Sequence, residues 1–107
     1  MKDGIFYVVF RSSFQEFGEG TVVVKGHKIN GGDSTHTYRG EIYGNTVELY
    51  IEKHKPAGRS IFKQDADYKL KMILNESGYG FSLQGHVEGN EEMKIEADAK
   101  FIGDLTV

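Results

Sequence analysis

Four histidines, His27, His36, His54 and His86, are by type the residues best able to bind a metal or move a proton near neutral pH. Their spacing argues against a shared metal. They form no His-x-His or His-x-x-x-His pair, and a zinc site needs three or four ligands converging on one point. Carboxylates are plentiful, but Glu92, Glu96 and Asp98 alternate with Lys94 and Lys100, and Glu48 and Glu52 accompany Lys53. Mixed charges spaced two apart belong to a solvated strand face, where they keep a sheet soluble. A catalytic carboxylate needs burial or a close like charge to shift its pKa, and these have no burial by pattern. Cysteine is absent, which excludes disulfides and thiol chemistry. Gly18-Glu19-Gly20 and Gly31-Gly32-Asp33 fall in strands or turns and open no helix, so a phosphate cradle is not expected, and no nucleophile-elbow or dinucleotide pattern occurs. The expectation is a protein with no catalytic residue, no cofactor and no metal, and not an enzyme.

The elements that would position these groups are strands. Met93, Ile95, Ala97, Ala99 and Phe101 interleave with Glu92, Lys94, Glu96, Asp98 and Lys100, the period of a half-buried antiparallel strand. Eight strands are expected, at about Ile5–Arg11, Glu19–Lys25, His27–Gly31, Ser34–Tyr43, Thr46–His54, Ala66–Leu74, Tyr79–Glu88 and Glu92–Ile102, five of them with this alternation. Directly paired residues of a hairpin share a face, so loop length must agree with the alternation. Pairing Ile42 with Val47 leaves Gly44-Asn45 as a two-residue loop of type II′. Val24 with Ile29 leaves Gly26-His27, and Leu74 with Tyr79 leaves a turn around Glu76-Ser77. Val87 and Met93 are both odd and both inward, so the last hairpin requires a three-residue loop or a bulge near Gly89. Glycines 20, 40 and 85 inside strands permit sharp bends. The fold class is therefore all-β, an eight-stranded antiparallel up-and-down barrel closing strand 8 against strand 1, with a sandwich as the alternative. The one long connection, Lys55–Asp65, holds the sole proline, Pro56. A short helix around residues 58–65 is expected there, with Ile61 and Phe62 covering one end of the barrel.

His36 alone among the histidines falls on the inward face, beside Tyr38. With Tyr68, Met72, Tyr79, Phe81 and Ala97 it forms a set of candidate cavity-lining residues. Small inward residues such as Gly40, Gly85, Ala97 and Ala99 either leave space for one small apolar ligand or admit large neighbours that fill it. The first strand breaks the alternation, being apolar on both faces from Ile5 to Phe10. Either its second face is covered by the chain itself, or Phe6, Val8 and Phe10 contribute to a dimer or partner surface.

A length of 107 residues indicates one domain, 1–107. The net charge of −3 does not suit direct nucleic-acid binding, and the longest apolar run, Ile5 to Phe10, is too short to cross a membrane. A cytoplasmic address is the expectation.

Several phrases occur in a particular order: Met1-Lys2-Asp3-Gly4-Ile5-Phe6, Gly18-Glu19-Gly20, Gly31-Gly32-Asp33, Tyr38-Arg39-Gly40, His86-Val87-Glu88-Gly89-Asn90-Glu91 and Ala99-Lys100-Phe101-Ile102. In this order and spacing the chain resembles the GrlR-like negative regulators of type III secretion. The resemblance implies a lipocalin-like barrel with one short helix, a homodimer in the bacterial cytoplasm, and action by binding and inhibiting a transcriptional activator. Members of that family can carry an acidic run in the loop after the Tyr-x-Gly motif. Here the stretch reads Ile42-Tyr43-Gly44-Asn45-Thr46, with no acidic residue, and no partner contact carries over there. The alternative function is a carrier or sensor of a small apolar molecule held inside the barrel.

Overall fold

The computed structural model describes residues 1–12, 18–54, 67–78 and 80–106. They form eight strands, β1 (Gly4–Ser12), β2 (Glu19–Lys25), β3 (Lys28–Gly32), β4 (His36–Tyr43), β5 (Thr46–Lys53), β6 (Tyr68–Ser77), β7 (Gly80–Val87) and β8 (Asn90–Gly103). Each strand pairs antiparallel with the next, and β1 pairs with β8 to close the barrel. Closure leaves no edge strand, which is how a small all-β chain avoids edge-to-edge aggregation. Among the described residues there is no helix, and none is long and apolar enough to cross a membrane. The expected helix around 58–65, with Ile61 and Phe62, lies outside the described residues, as does Tyr79.

Turn chemistry sets the registers. Ile42 pairs with Val47 and Tyr43 with Thr46. Gly44 takes a φ of 62° while Asn45 does not enter the positive region, the pattern of a type II′ turn. Val24 pairs with Ile29, and both turn residues, Gly26 and His27, have positive φ (57° and 64°), as a type I′ turn demands. The β7–β8 hairpin contains the expected irregularity. His86 faces Lys94, Val87 faces Asn90, and the register shifts between them, with Gly89 at a φ of 84°. This offset lets Val87 be buried and Met93 pack against the same core.

One turn differs from expectation. Leu74 pairs with Leu83, not Tyr79, so β6 runs on through Asn75, Glu76 and Ser77. Those residues have turn-like composition, but the glycine at 78 ends the strand. The register moves by four residues, an even number, so every side chain keeps its face.

The interior is one apolar cluster. Phe6, Val24, Val47, Leu70, Met72 and Ile95 are the largest fully buried side chains. The exterior of β8 carries Glu92, Lys94, Glu96, Asp98 and Lys100, all exposed. That is opposite to a membrane barrel, whose outer face must be apolar at mid-depth.

Candidate functional site

The barrel is filled. Its internal void is about 20 Å³, lined by apolar side chains that include Val8, Phe10, Val47, Met72, Ala97 and Ala99. Ligand sites typically occupy about 300–1,000 Å³, so this void is far too small for a drug-sized guest. With only apolar walls it gives even a water no hydrogen-bond partner. Of the described residues expected to line a single cavity, only Met72 and Ala97 border this void. Four more of the described residues are separated: His36, Tyr38 and Tyr68 lie toward one end of the barrel and Phe81 lies at the opposite end.

At the first end a polar cluster gathers around Asp33, in the β3–β4 turn. One carboxylate oxygen, Oδ1, accepts hydrogen bonds from the backbone N–H groups of Thr35 (2.7 Å) and His36 (2.7 Å) and from the Thr35 hydroxyl (3.1 Å). The other, Oδ2, accepts from the Tyr38 phenol. Thr35 Oγ1 lies 2.6 Å from His36 Nδ1. If the single Thr35 proton points to Asp33, that oxygen accepts from a protonated His36 Nδ1. His54 Nε2 lies 3.0 Å from the Asp33 carbonyl, tying the end of β5 to the same turn. Tyr38 is 3% exposed, and its ring meets Phe10 edge-on at 5.3 Å between centroids. Gly20 makes room for that ring. A Cβ there would fall 2.6 Å from Tyr38 Cε2 and 2.8 Å from the Gly32 carbonyl oxygen.

The electrostatics of this cluster are those of a structural staple. Burial alone would raise the Asp33 pKa, but the hydrogen bonds from Tyr38, Thr35 and His36 outweigh it and hold the carboxyl below its ordinary value. Burial and the Asp33 charge push the Tyr38 phenol far up. A carboxylate held low and saturated with donors is a weak base, the reverse of what proton abstraction at neutral pH requires. Asp33 did not stand out in the sequence as a site residue. The signal was available, since Asp followed two residues later by Thr is an Asx-turn pattern.

The opposite end is aromatic. Phe6 is buried, with its ring 5.6 Å from Phe101 in an edge-on contact and 6.0 Å from Phe81. Phe81 and Phe101 are only half-buried, and Lys2 Nζ sits 3.9 Å above the Phe101 ring.

The first strand resolves into two faces. Phe6, Val8 and Phe10, expected as a dimer or partner surface, are instead core residues at 0%, 5% and 2% exposure. Hydrophobicity cannot assign faces in a strand that is apolar on both; pairing does. The outward residues are Ile5, Tyr7 and Val9, all half-buried. Ile5 faces Val23 across β2 and Gly103 across β8, beside Ile102. Val23 is 36% exposed and Ile102 54%. Ile5, Val23 and Ile102 form an apolar strip across β8, β1 and β2, which Tyr7 and Val9 continue along β1 between Thr21 and Lys100 and between Glu19 and Asp98. Charges rim it: the Tyr7 phenol donates to Glu19, and Arg11 pairs with Asp98 at 2.8 Å.

A second group of exposed apolar residues, Tyr43, Tyr50 and Ile73, lies on β4 to β6. It is interrupted by the charged row Glu41, Glu48 and Lys71. Its tyrosines are engaged, Tyr43 donating to Glu41 at 2.9 Å and Tyr50 lying under Lys69 at 5.3 Å.

Among the described residues no group of three or more His, Asp or Glu side chains is arranged to hold a metal. His86 Nδ1 lies 2.9 Å from the Val87 carbonyl, and His27 occupies its turn. No protein-family model and no curated protein matches the chain.

Proposed function

We propose that this protein is a bacterial regulatory interaction protein that works through the outside of its barrel. In this reading it is a cytoplasmic homodimer that binds a transcriptional activator and holds it inactive, as the resemblance to the GrlR-like negative regulators implies. The observation that carries the reading is the apolar strip Ile5, Tyr7, Val9, Val23 and Ile102 on the outer face of three neighbouring strands. A rimmed apolar patch on a small soluble barrel is the surface chemistry of a protein contact. Two further observations support it. The interior void of about 20 Å³ gives little room to the central ligand of the alternative function. The most elaborate polar cluster, around Asp33, is used up in holding a turn.

Deleting the coding sequence in the native bacterium tests the reading. Transcripts of a secretion-type regulon should rise, the wild-type chain should restore repression, and Val23→Lys should not. Unchanged transcripts on deletion, or full repression by Val23→Lys, would contradict it.

A further inference from the structure

The aromatic end of the barrel opens into a cavity of about 370 Å³ lined by Met1, Lys2, Phe6, Glu76, Phe81 and Phe101. The geometry points to a binding site here for a small anionic amphiphile, a molecule with an aliphatic or aromatic body and one carboxylate or sulfonate. Unlike the void at the centre of the barrel, this groove is open to solvent, so a guest can reach it without any opening of the barrel.

The wall has the character of a site. Phe81 and Phe101, each braced against the buried Phe6 ring, make a rigid apolar surface with few rotatable bonds, so little side-chain entropy is lost when a guest lies on it. Phe81 and Phe101 are half-buried, which leaves ring surface in water at the mouth. At the opposite end the ring of Tyr38 is covered and its phenol is paired with Asp33. Among the described residues the aromatic end has no comparable cluster of hydrogen bonds on one carboxylate.

The charge at the mouth selects the sign of the guest. Lys2 Nζ is held 3.9 Å above the Phe101 ring, already inside the aromatic surface. An anion can accept from that ammonium without moving it, whereas a cation would have to displace it from the ring. Among the described residues the Met1 N-terminus adds a second positive group to the lining, and Glu76 is its carboxylate. Glu76 faces Phe81 across the β6–β7 ladder and so lies on the same face as that ring. Its carboxylate repels an anion on its own side and confines the guest's charged head to the Lys2 side. The apolar body then lies along Phe81 and Phe101.

Amide proton–nitrogen correlation spectra of the full chain, titrated with decanoate, test the site directly. Saturable shifts should centre on Lys2, Glu76, Gly80, Phe81 and Phe101, with residues around Asp33 and Tyr38 unmoved. Decanoate should bind more tightly than decanol, and decanol more tightly than decyltrimethylammonium. Lys2→Ala should weaken decanoate about fivefold, the scale of one solvent-screened ion pair, while leaving decanol unchanged. Phe81→Leu keeps the volume apolar for folding and should weaken both. Shifts centred elsewhere, no saturable response, a preference for the cation, or decanoate affinity indifferent to Lys2→Ala would each overturn the proposal. The readout is independent of association, so failure of this site leaves the regulatory reading standing, and the reverse also holds.

Discussion

At one end of the barrel Asp33 collects hydrogen bonds from Thr35, His36 and Tyr38 and ties down a turn; at the other, Phe6, Phe81 and Phe101 pack ring against ring and leave a cavity of about 370 Å³ open to water. Both ends must finish a cylinder of strands whose middle is tightly packed. The polar end uses directional bonds to a charge, which are specific and pH-dependent. The aromatic end uses area, which is insensitive to pH and tolerates a guest. The polar cluster at Asp33 is structural, and the two surfaces proposed for recognition are apolar: the aromatic mouth and the outer strip on β8, β1 and β2.

Substitutions at the two ends should separate these contributions. The largest effect belongs to the aromatic end. Phe6→Ala removes a fully buried ring that touches two others and should cost about 3–5 kcal/mol, read by urea denaturation, with no change in the pH profile. A loss under about 1 kcal/mol would mean that this end is not part of the core.

Asp33→Asn should cost about 1–3 kcal/mol at neutral pH, because it takes the charge from several converging donors. The folded Asp33 carboxyl lies below its unfolded value, so its stabilisation is fully present above the unfolded pKa of ~3.9 and is lost as pH falls through the folded value. The difference between wild type and Asp33→Asn should therefore shrink as pH is lowered below about 4. A difference independent of pH would remove the staple from the account. Tyr38→Phe keeps the ring against Phe10 and deletes one donor to Asp33, for about 1 kcal/mol by thermal melting. The smallest stability change, within about 0.5 kcal/mol, is expected for Val23→Lys on the outer strip, where the side chain faces solvent in the single barrel.

Most of the frame was legible from alternation alone. Parity placed the turns at Gly44-Asn45 and Gly26-His27, and it required the irregularity that occurs between His86 and Val87. It placed His36, Tyr38, Tyr68 and Met72 inside. Even the displaced β6–β7 turn left the faces correct, because parity is blind to a shift of four residues. Three things were hidden for physical reasons. A strand apolar on both sides has no hydrophobic contrast, so Phe6, Val8 and Phe10 could not be told from Ile5, Tyr7 and Val9 until pairing with Val22 and Val23 fixed them. Whether small residues such as Ala97 leave a cavity depends on the neighbours around them, here Val8 and Phe10 on the adjoining strand and Val47 and Met72 beyond, which nearly close it. The separation of His36 and Tyr38 from Phe81 is a matter of height along the barrel, and alternation reports the face of a residue but not its level.

Sedimentation velocity of the purified chain across the micromolar range, for wild type and for Val23→Lys combined with Ile102→Lys, bears most directly on the claim that the outer strip is the working surface. The account predicts a wild-type dimer, a monomeric double variant, and melting behaviour of the variant that still reports a folded barrel. A monomeric wild type, or a double variant that remains as dimeric as wild type, would contradict it.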